Sequence, residues 1–388
     1  MKKLPAIKAV DQFVTDRYAI YQGDSCELIR GIPDGSVHFG VHSPPFEGLY
    51  KFSGSDRDLS NSEGGDFWTH YRFLIGEILR ITMPGRLHAV HVMQLPTSKR
   101  RDGFIGMRDF RGEVIRAYCG DEAAEIHQAM QRVGARAKEA ADAGDMDRYA
   151  RLANAVLTIE QDLREHTKRN SAWHFHSEVC IWKDAVVAQA RSKSHRLNHK
   201  QLVKDSTISG QALADYIVAF RKPGANPEPV AGALRRYVGA GDGPSYSKFT
   251  TDGDSRNWFS IETWQRYASP VWMDIRQSRT LQYLTAREGN DEAHIAPLQL
   301  DVIERCVDLW SNPGDIVFTP FLGIGSEVWA AVHAGRRGLG FELKAPYFRQ
   351  AKVNMTRDLD EKPEEAIFGG AAAPNADEEA DERLEAVS

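Results

Sequence analysis

The sequence predicts an α/β protein built on a mostly parallel, twisted sheet, and three observations carry that prediction. Short apolar runs such as "VHFGV" and "RLHAVHVM" alternate with stretches whose apolar residues recur at helical spacing. Strand and helix patterns take turns along both ends of the chain, as a parallel sheet with crossover helices requires. A Gly-rich turn, Phe321-Leu322-Gly323-Ile324-Gly325, joins the buried strand Ile316–Phe318 to the helix pattern "EVWAAVHAG".

The elements follow in order. "YAIYQGDSCELIRGIPDGSVHFGVHSPPF" reads as strand, helix, turn and strand, with "PDGS" as turn chemistry. "FWTHYRFLIGEILRITMPG" is a helix ended by Pro84-Gly85, and the strand "RLHAVHVM" follows. "DFRGEVIRAY" is helix-like and "FHSEVCIW" strand-like. Residues 121–170 break the rhythm. Ile126, Met130, Val133 and Ala137 form one apolar stripe, and Tyr149, Leu152, Val156, Ile159 and Leu163 another, with "AGDMD" as the turn between them. This is a helical hairpin inserted into the α/β core, a device for packing or dimerisation. Residues 185–260 are irregular and rich in Gly, Pro and Ser. The segment from His294 to about residue 355 returns to helix, strand, Gly-rich turn, helix, strand and helix.

The 388 residues suffice for one large or two ordinary domains. The chain is 42% hydrophobic and 27% charged, a soluble globular composition. It holds no run long and apolar enough for a membrane helix, and "MKKLPAIKAVDQF" lacks the apolar centre of a signal peptide, so a cytoplasmic location is expected. Four scattered cysteines, with no C-x-x-C pair, indicate reduced thiols and no zinc site. Residues 358–388 carry eleven Asp/Glu against two Lys/Arg, which leaves a charge of +4 on residues 1–357 out of the overall −5. A mildly basic body with an acidic tail suits a polyanionic partner, and equally an ordinary near-neutral enzyme.

Two stretches carry chemistry. In the first, the glycines of Phe321–Gly325 let backbone approach a ligand, Ser326 can cap the next helix, and the following strand ends at Glu342. A Gly-rich strand-to-helix turn with an acid about 20 residues on is a nucleoside-cofactor pattern, the acid taking ribose hydroxyls. Two glycines and no basic residue disfavour a phosphate cradle. In the second, Ser43-Pro44-Pro45-Phe46 leaves a buried strand. The prolines lack N–H donors, so the turn presents carbonyl oxygens beside the Ser43 hydroxyl and the flat face of Phe46. That set suits the exocyclic amine of a nucleobase brought out of its helix.

With both stretches in view, the chain resembles the DNA amino-methyltransferases. Their catalytic tetrapeptide is Asp/Asn/Ser-Pro-Pro-Tyr/Phe/Trp, and their S-adenosyl-L-methionine (SAM) loop is Phe-x-Gly-x-Gly. The tetrapeptide precedes the loop by about 275 residues, an order that resembles the β-group, including methylases carried by phages and prophages. The likeness covers about residues 15–115, 172–185 and 290–355. It implies a Rossmann-like SAM-dependent methyltransferase fold with circularly permuted motif order. In that layout residues 1–118 are the catalytic half, 119–171 the helical-hairpin insertion and 172–185 a return strand of the core. Residues 186–285 are an irregular target-recognition and DNA-binding region, 286–357 the SAM-binding half and 358–388 a disordered acidic tail.

Carried over, the resemblance gives Ser43, Pro44 and Pro45 to the target amine and Phe46 to stacking on the base. Phe321, Gly323 and Gly325 would line the methionine end of SAM, Glu342 its ribose and Asp24 its adenine end. The segment His294–Gln299 matches the block that closes the site, with Ile295 and Leu298 where Pro and Lys are usual, so His294 and Leu298 would act through backbone. Thr319 stands where Asp is common, and Ser326-Glu327 where Thr-Thr or Ser-Thr is common. The implied reaction is direct transfer of a methyl group from SAM to the exocyclic amine of a flipped base. Ring-carbon methylation needs a cysteine nucleophile, and no Pro-Cys pair occurs. Ser with Phe in the tetrapeptide leans to N4 of cytosine, with N6 of adenine the alternative. A hydroxyl can donate to the ring or accept from the amine, so its chemistry alone leaves both open.

Arg191, Lys193, Arg196, Lys200 and Lys204 lie within 14 positions, several on one helical face, as phosphate contacts to double-stranded DNA require. The polar loop 53–65 follows the catalytic turn and could close on a flipped base. Base-reading residues are expected within 190–270, while Trp258, Trp264 and Trp272 are expected in the core. A homodimer and a cognate restriction enzyme are further partners the resemblance admits. A nicotinamide-dependent oxidoreductase would explain the Gly turn but not Ser-Pro-Pro-Phe. A SAM-binding regulator with degenerate chemistry would leave the intact tetrapeptide without a task.

Overall fold

In a computed structural model of the chain, the described residues are 9–45, 65–97, 103–120, 135–155, 173–192, 197–230, 263–283 and 297–359, with Ile7, Lys99, Val133 and Ala286. Phe46, the loop 53–64, Lys193, Arg196, Trp258, His294 and the tail from 360 lie outside them.

The main sheet is built from β1 (Asp11–Val14), β2 (Tyr18–Gln22), β3 (Val37–His42), β4 (Thr82–Met93), β7 (His174–Ile181), β8 (Asp215–Arg221), β9 (Val271–Trp272), β10 (Ile316–Thr319) and β11 (Arg337–Glu342). A small separate hairpin pairs β5 (Leu95–Thr97) with β6 (Gly106–Arg108). The main order is β1-β2-β11-β10-β3-β4-β8-β7-β9. The five strands β2, β11, β10, β3 and β4 run parallel, and β8 is antiparallel between β4 and β7. The expected mostly parallel α/β sheet is therefore present.

Strands covered on both faces read as near-continuous apolar runs, and β2, β3 and β10 do so. Alternation then divides their side chains between two cores. Val90, Val92, Val218 and Phe220 pack with α2 (Gly65–Ile81) and α3 (Phe110–Cys119) through Phe67, Tyr71, Leu74, Ile78, Phe110 and Val114. Phe39, Val41, Ala89, Ile217 and Val317 pack on the other face with α6 (Leu300–Trp310) and α7 (Ser326–His333) through Val302, Ile303, Val307, Ala330 and Ala331. Further helices are α1 (Ser25–Leu28), α4 (Ala185–Ser192), α5 (His199–Lys204) and α8 (Ala345–Leu359). At Gly40 the strand admits a neighbour that no other residue would allow, since a Cβ there would lie 1.9 Å from His88 Nδ1.

The structure departs from the sequence reading in three places. The region 186–285, expected to be irregular, contributes β8 to the middle of the sheet and β9 to its edge. "IVAF" is a four-residue apolar run inside a polar stretch, and its strand character becomes visible only once β4 and β7 flank it. The segment 263–283 likewise packs on the core. Trp272 is fully buried, and Arg305 of α6 holds Asp274 through two hydrogen bonds of 2.9 and 2.8 Å. Trp264, expected in the core, is 56% exposed.

The third departure is the end of α2, which stops at Ile81, before Pro84-Gly85. Proline bars the helical region to Met83, and the chain has already turned into β4. A register shift in the β3–β4 pairing absorbs Met83–Arg86. Within the hairpin insertion, residues 135–142 and 146–155 are helical about a turn at Gly144, whose φ is 74°. No helix among the described residues is long and apolar enough to cross a membrane.

Candidate active site

The chain leaves β10 in one direction, through α7 to β11, and leaves β3 in the other, through α2 to β4. Between two such neighbouring strands the connections part and open a crevice at the carboxyl ends, the usual ligand position in an open α/β sheet. Val317 pairs with Phe39 and Phe318 with Gly40, so Ser43-Pro44-Pro45 and the Phe321–Gly325 turn leave the sheet side by side. The ring of Phe321 meets that of His42 edge to face, with centroids 5.4 Å apart. The two stretches singled out in the sequence, about 275 residues apart, thus share one crevice.

The glycine turn is built to leave space. Gly323 and Gly325 have φ of 55° and 98°, values that favour glycine. A Cβ added at Gly323 would meet no atom within 4 Å. Leu322 anchors the turn by donating its N–H to Phe341 O at 2.7 Å, and Ser25 Oγ donates to Pro320 O at 2.5 Å. Glu342, at the end of β11, accepts from Gly323 N–H at 2.7 Å through one oxygen and from Lys344 N–H at 2.8 Å through the other. Asp24, one strand over, caps α1 by accepting from Cys26 N–H at 2.8 Å. Asp24, Phe321, Gly323, Gly325 and Glu342 therefore stand on three adjacent strand ends. Leu298 is buried among Ile324, Phe39 and Val41, so its side chain belongs to the core.

At the base of α7, Ser326 Oγ is buried without a hydrogen-bond partner. Glu327 beside it is fully buried. Burial lifts its carboxyl to about 8, its own backbone N–H pulling the other way and the nearby Glu342 charge adding to the rise.

Around Ser43 the structure adds residues that motif reading did not single out. Ser43 Oγ lies 2.8 Å from His91 Nδ1. His91 Nε2 is 3.1 Å from Asp215 Oδ2, and Lys183 Nζ is 2.6 Å from the same oxygen. Burial raises the Asp215 carboxyl, and His91 and Lys183 beside it more than offset that, holding the group below its ordinary value. His91 pairs with Ile217 across the β4–β8 ladder, which puts Asp215 diagonally beside it on the same face. On the opposite face His42 Nδ1 lies 2.8 Å from His88 Nε2, and His42 Nε2 lies 3.0 Å from Tyr71 Oη. Burial pulls both rings down, His88 to about 3, so this pair stays neutral beneath the Ser-Pro-Pro turn. The only sequence signal for either set was the recurrence of histidine in "VHFGVH" and "RLHAVH".

Of the basic cluster, Lys200 and Lys204 are exposed on α5. The connection that carries them leaves β7 at Ile181 and returns at Asp215, both level with Met93 at the end of β4, the edge where Ser43 lies. Arg191 is in α4, its side chain outside the described atoms. At the opposite edge His38, Glu228 and Asp315 bring three ligand-type atoms within 4.8 Å. The buried guanidinium of Arg86, 3.2 Å from Asp315, already supplies positive charge there.

Residues 37–353 match the family described as DNA methylase, the N6/N4 methyltransferases, and the chain belongs to that family. The type II methyltransferase M1.MboII of Moraxella bovis is 40% identical over 64 residues, 16% of this chain and 25% of that protein. The type II methyltransferase M.MthZI of Methanothermobacter thermautotrophicus is 31% identical over 96 residues, 24% and 26% of the two. The chain thus matches about a quarter of the length of these curated relatives. Among solved structures, a DNA modification methylase of Thermus thermophilus complexed with S-adenosyl-L-methionine is 18% identical with a TM-score of 0.49, covering 89% of this chain and 97% of that one. The PvuII DNA methyltransferase (cytosine-N4-specific) is 12% identical with a TM-score of 0.48, covering 88% and 87%.

Proposed function

We propose that this protein is a DNA amino-methyltransferase that modifies the exocyclic amine of a flipped base, N4 of cytosine in the first instance. The observation that carries the reading is the convergence of Ser43-Pro44-Pro45 and the Phe321–Gly325 turn on one crevice. The residues fit SAM. The space over Gly323 is open, and the Glu342 carboxylate stands at its edge, holding the Gly323 N–H. Ser326 Oγ is an unpartnered polar atom at the loop's end. Phe321, Gly323 and Gly325 would hold the methionine end, Glu342 the ribose and Asp24 the adenine end, with His294 and Leu298 closing the site through backbone. When bound, SAM supplies an electrophilic methyl group.

The chain's own part is to aim the nucleophile. An exocyclic amine is weak because its lone pair is spread into the ring. Acceptors at the Pro44 carbonyl and Ser43 Oγ would draw its N–H bonds out of the ring plane and free the lone pair. Phe46 would hold the base by stacking. Most of the acceleration is then proximity and orientation, which need no covalent intermediate. Arg191, Lys193, Arg196, Lys200 and Lys204 would carry the phosphate contacts, and exposure of Lys200 and Lys204 on a connection from the catalytic edge supports that role. Preference for cytosine N4 rests on serine as the first residue of the tetrapeptide.

The test is incubation of the protein with tritiated SAM and duplex DNA, followed by digestion to nucleosides and mass spectrometry. N4-methylcytosine is the expected product. N6-methyladenine would keep the class and move the target, and unlabelled DNA despite bound SAM would overturn the enzyme reading. Replacement of Ser43 by Ala should abolish labelling while SAM still binds.

A further inference from the structure

We propose that His91, oriented by Asp215, makes Ser43 an obligate acceptor for the target amine and then receives the proton that the amine must lose. This rests on the methyltransferase reading above and assigns positioning residues to it.

The direction of each hydrogen follows from the geometry. Asp215 is an ionised carboxylate and only accepts. Its Oδ2 faces His91 Nε2 at 3.1 Å and Lys183 Nζ at 2.6 Å. The Nε2 direction is not aimed squarely at the oxygen, so the contact is electrostatic more than an aligned hydrogen bond. It still fixes the tautomer, because a lone pair on Nε2 would face carboxylate lone pairs at that distance. A ring that holds a single hydrogen therefore carries it on Nε2, and Nδ1 then presents a lone pair. Nδ1 is 2.8 Å from Ser43 Oγ, so the serine donates to it. A hydroxyl has one hydrogen, and this contact uses it. What Ser43 offers the crevice is lone pairs alone, the same face a carboxylate would show. The two-way character of a serine at this position is thereby removed.

The same contacts carry the proton away. As the N–CH₃ bond forms, the methyl–sulfur bond breaks and its electron pair stays on sulfur. The amine nitrogen is left with one hydrogen too many. That proton passes to Ser43 Oγ while the serine's own proton passes to His91 Nδ1. The product is the neutral methylamine, Ser43 is restored, and the positive charge rests on an imidazolium beside Asp215. No other acceptor is required. Ser43 follows β3, His91 lies in β4, Asp215 opens β8 and Lys183 follows β7, so one chain of contacts joins four strands.

The experiment is single-turnover methyl transfer from tritiated SAM to duplex DNA, with SAM and DNA affinities measured alongside. His91→Ala should slow transfer roughly 100-fold, the scale of a lost proton acceptor, with both affinities little changed. Ser43→Asp in the His91→Ala background should recover at least tenfold of that loss, because a carboxylate accepts without help from His91. A merely structural role for His91 would show no such rescue. If His91→Ala lacks a cooperative melting transition, His91→Leu, which fills the site without an acceptor, carries the same comparison with Ser43→Asp. Label from the wild-type protein with undiminished transfer in the His91 variants, or no rescue by Ser43→Asp, overturns the relay alone. No label from the wild type overturns the methyltransferase reading and the relay with it.

Discussion

Replacing Glu327 by Gln is expected to stabilise the ligand-free protein, and by an amount that grows with pH. Glu327 is the second residue of α7 and is fully buried, and burial lifts its carboxyl from the ordinary 4.5 to about 8. The helix N-terminus favours the ionised form, but by only about 0.3–1 kcal/mol, against about 5 kcal/mol implied by the rise. Between 4.5 and about 8 the folded protein keeps a proton that the unfolded chain releases, so the folded state loses stability as pH rises through that window. The cost is about 1 kcal/mol at about pH 5 and about 4 kcal/mol at about pH 7.5. Glutamine matches the shape and never ionises, so it removes the whole term. Urea unfolding of the wild type and Glu327→Gln across this range should show the advantage of the variant widening by about 3 kcal/mol. A difference that stays flat with pH, or narrows as pH rises, would mean the carboxyl is not held neutral, and the reasoning would fail.

Three further outcomes follow from the same geometry. His42 and His88 are buried and neutral, so below the ordinary 6.5 the unfolded chain takes up protons that the folded one refuses. The His88 ring should cost about 2 kcal/mol at about pH 5, with His42 adding to it, and in the Glu327→Gln background His88→Gln should recover about that much of the acid-side loss in urea titrations. Gly323→Ala places a methyl group where no atom lies within 4 Å, at a φ of 55°. It should lower stability by only about 1 kcal/mol yet weaken SAM binding at least tenfold by calorimetry; unchanged affinity would put the cofactor elsewhere. Gly40→Ala drives a Cβ to 1.9 Å from His88 Nδ1, and a drop of about 1–3 kcal/mol in stability is expected, read as a lowered melting midpoint.

Much of the fold was legible in the sequence because the signals are local. Tyr18–Tyr21, Phe39–Val41 and Val317–Phe318 are apolar runs of strand length, and α6 shows its core stripe in Val302, Ile303, Cys306 and Val307 without help from any other segment. The glycine turn and the Ser-Pro-Pro turn were also readable, since a positive φ or a missing N–H is a property of the residue itself. β8 was missed because "IVAF" sits in a polar region, and only pairing with β4 and β7 makes it a central strand.

The side chains gathered around Ser43 were illegible for a related reason. His91, Asp215 and Lys183 lie 48 to 172 positions from Ser43, with nothing local to mark them. Local sequence chemistry settled that a stiff acceptor turn and a ligand-shaped glycine loop exist, because φ restriction, donor count and apolar period belong to single residues and their neighbours. That the two face each other, and that the serine hydroxyl lies against His91, was decided by strand order and register, because those contacts join residues brought together only by the sheet.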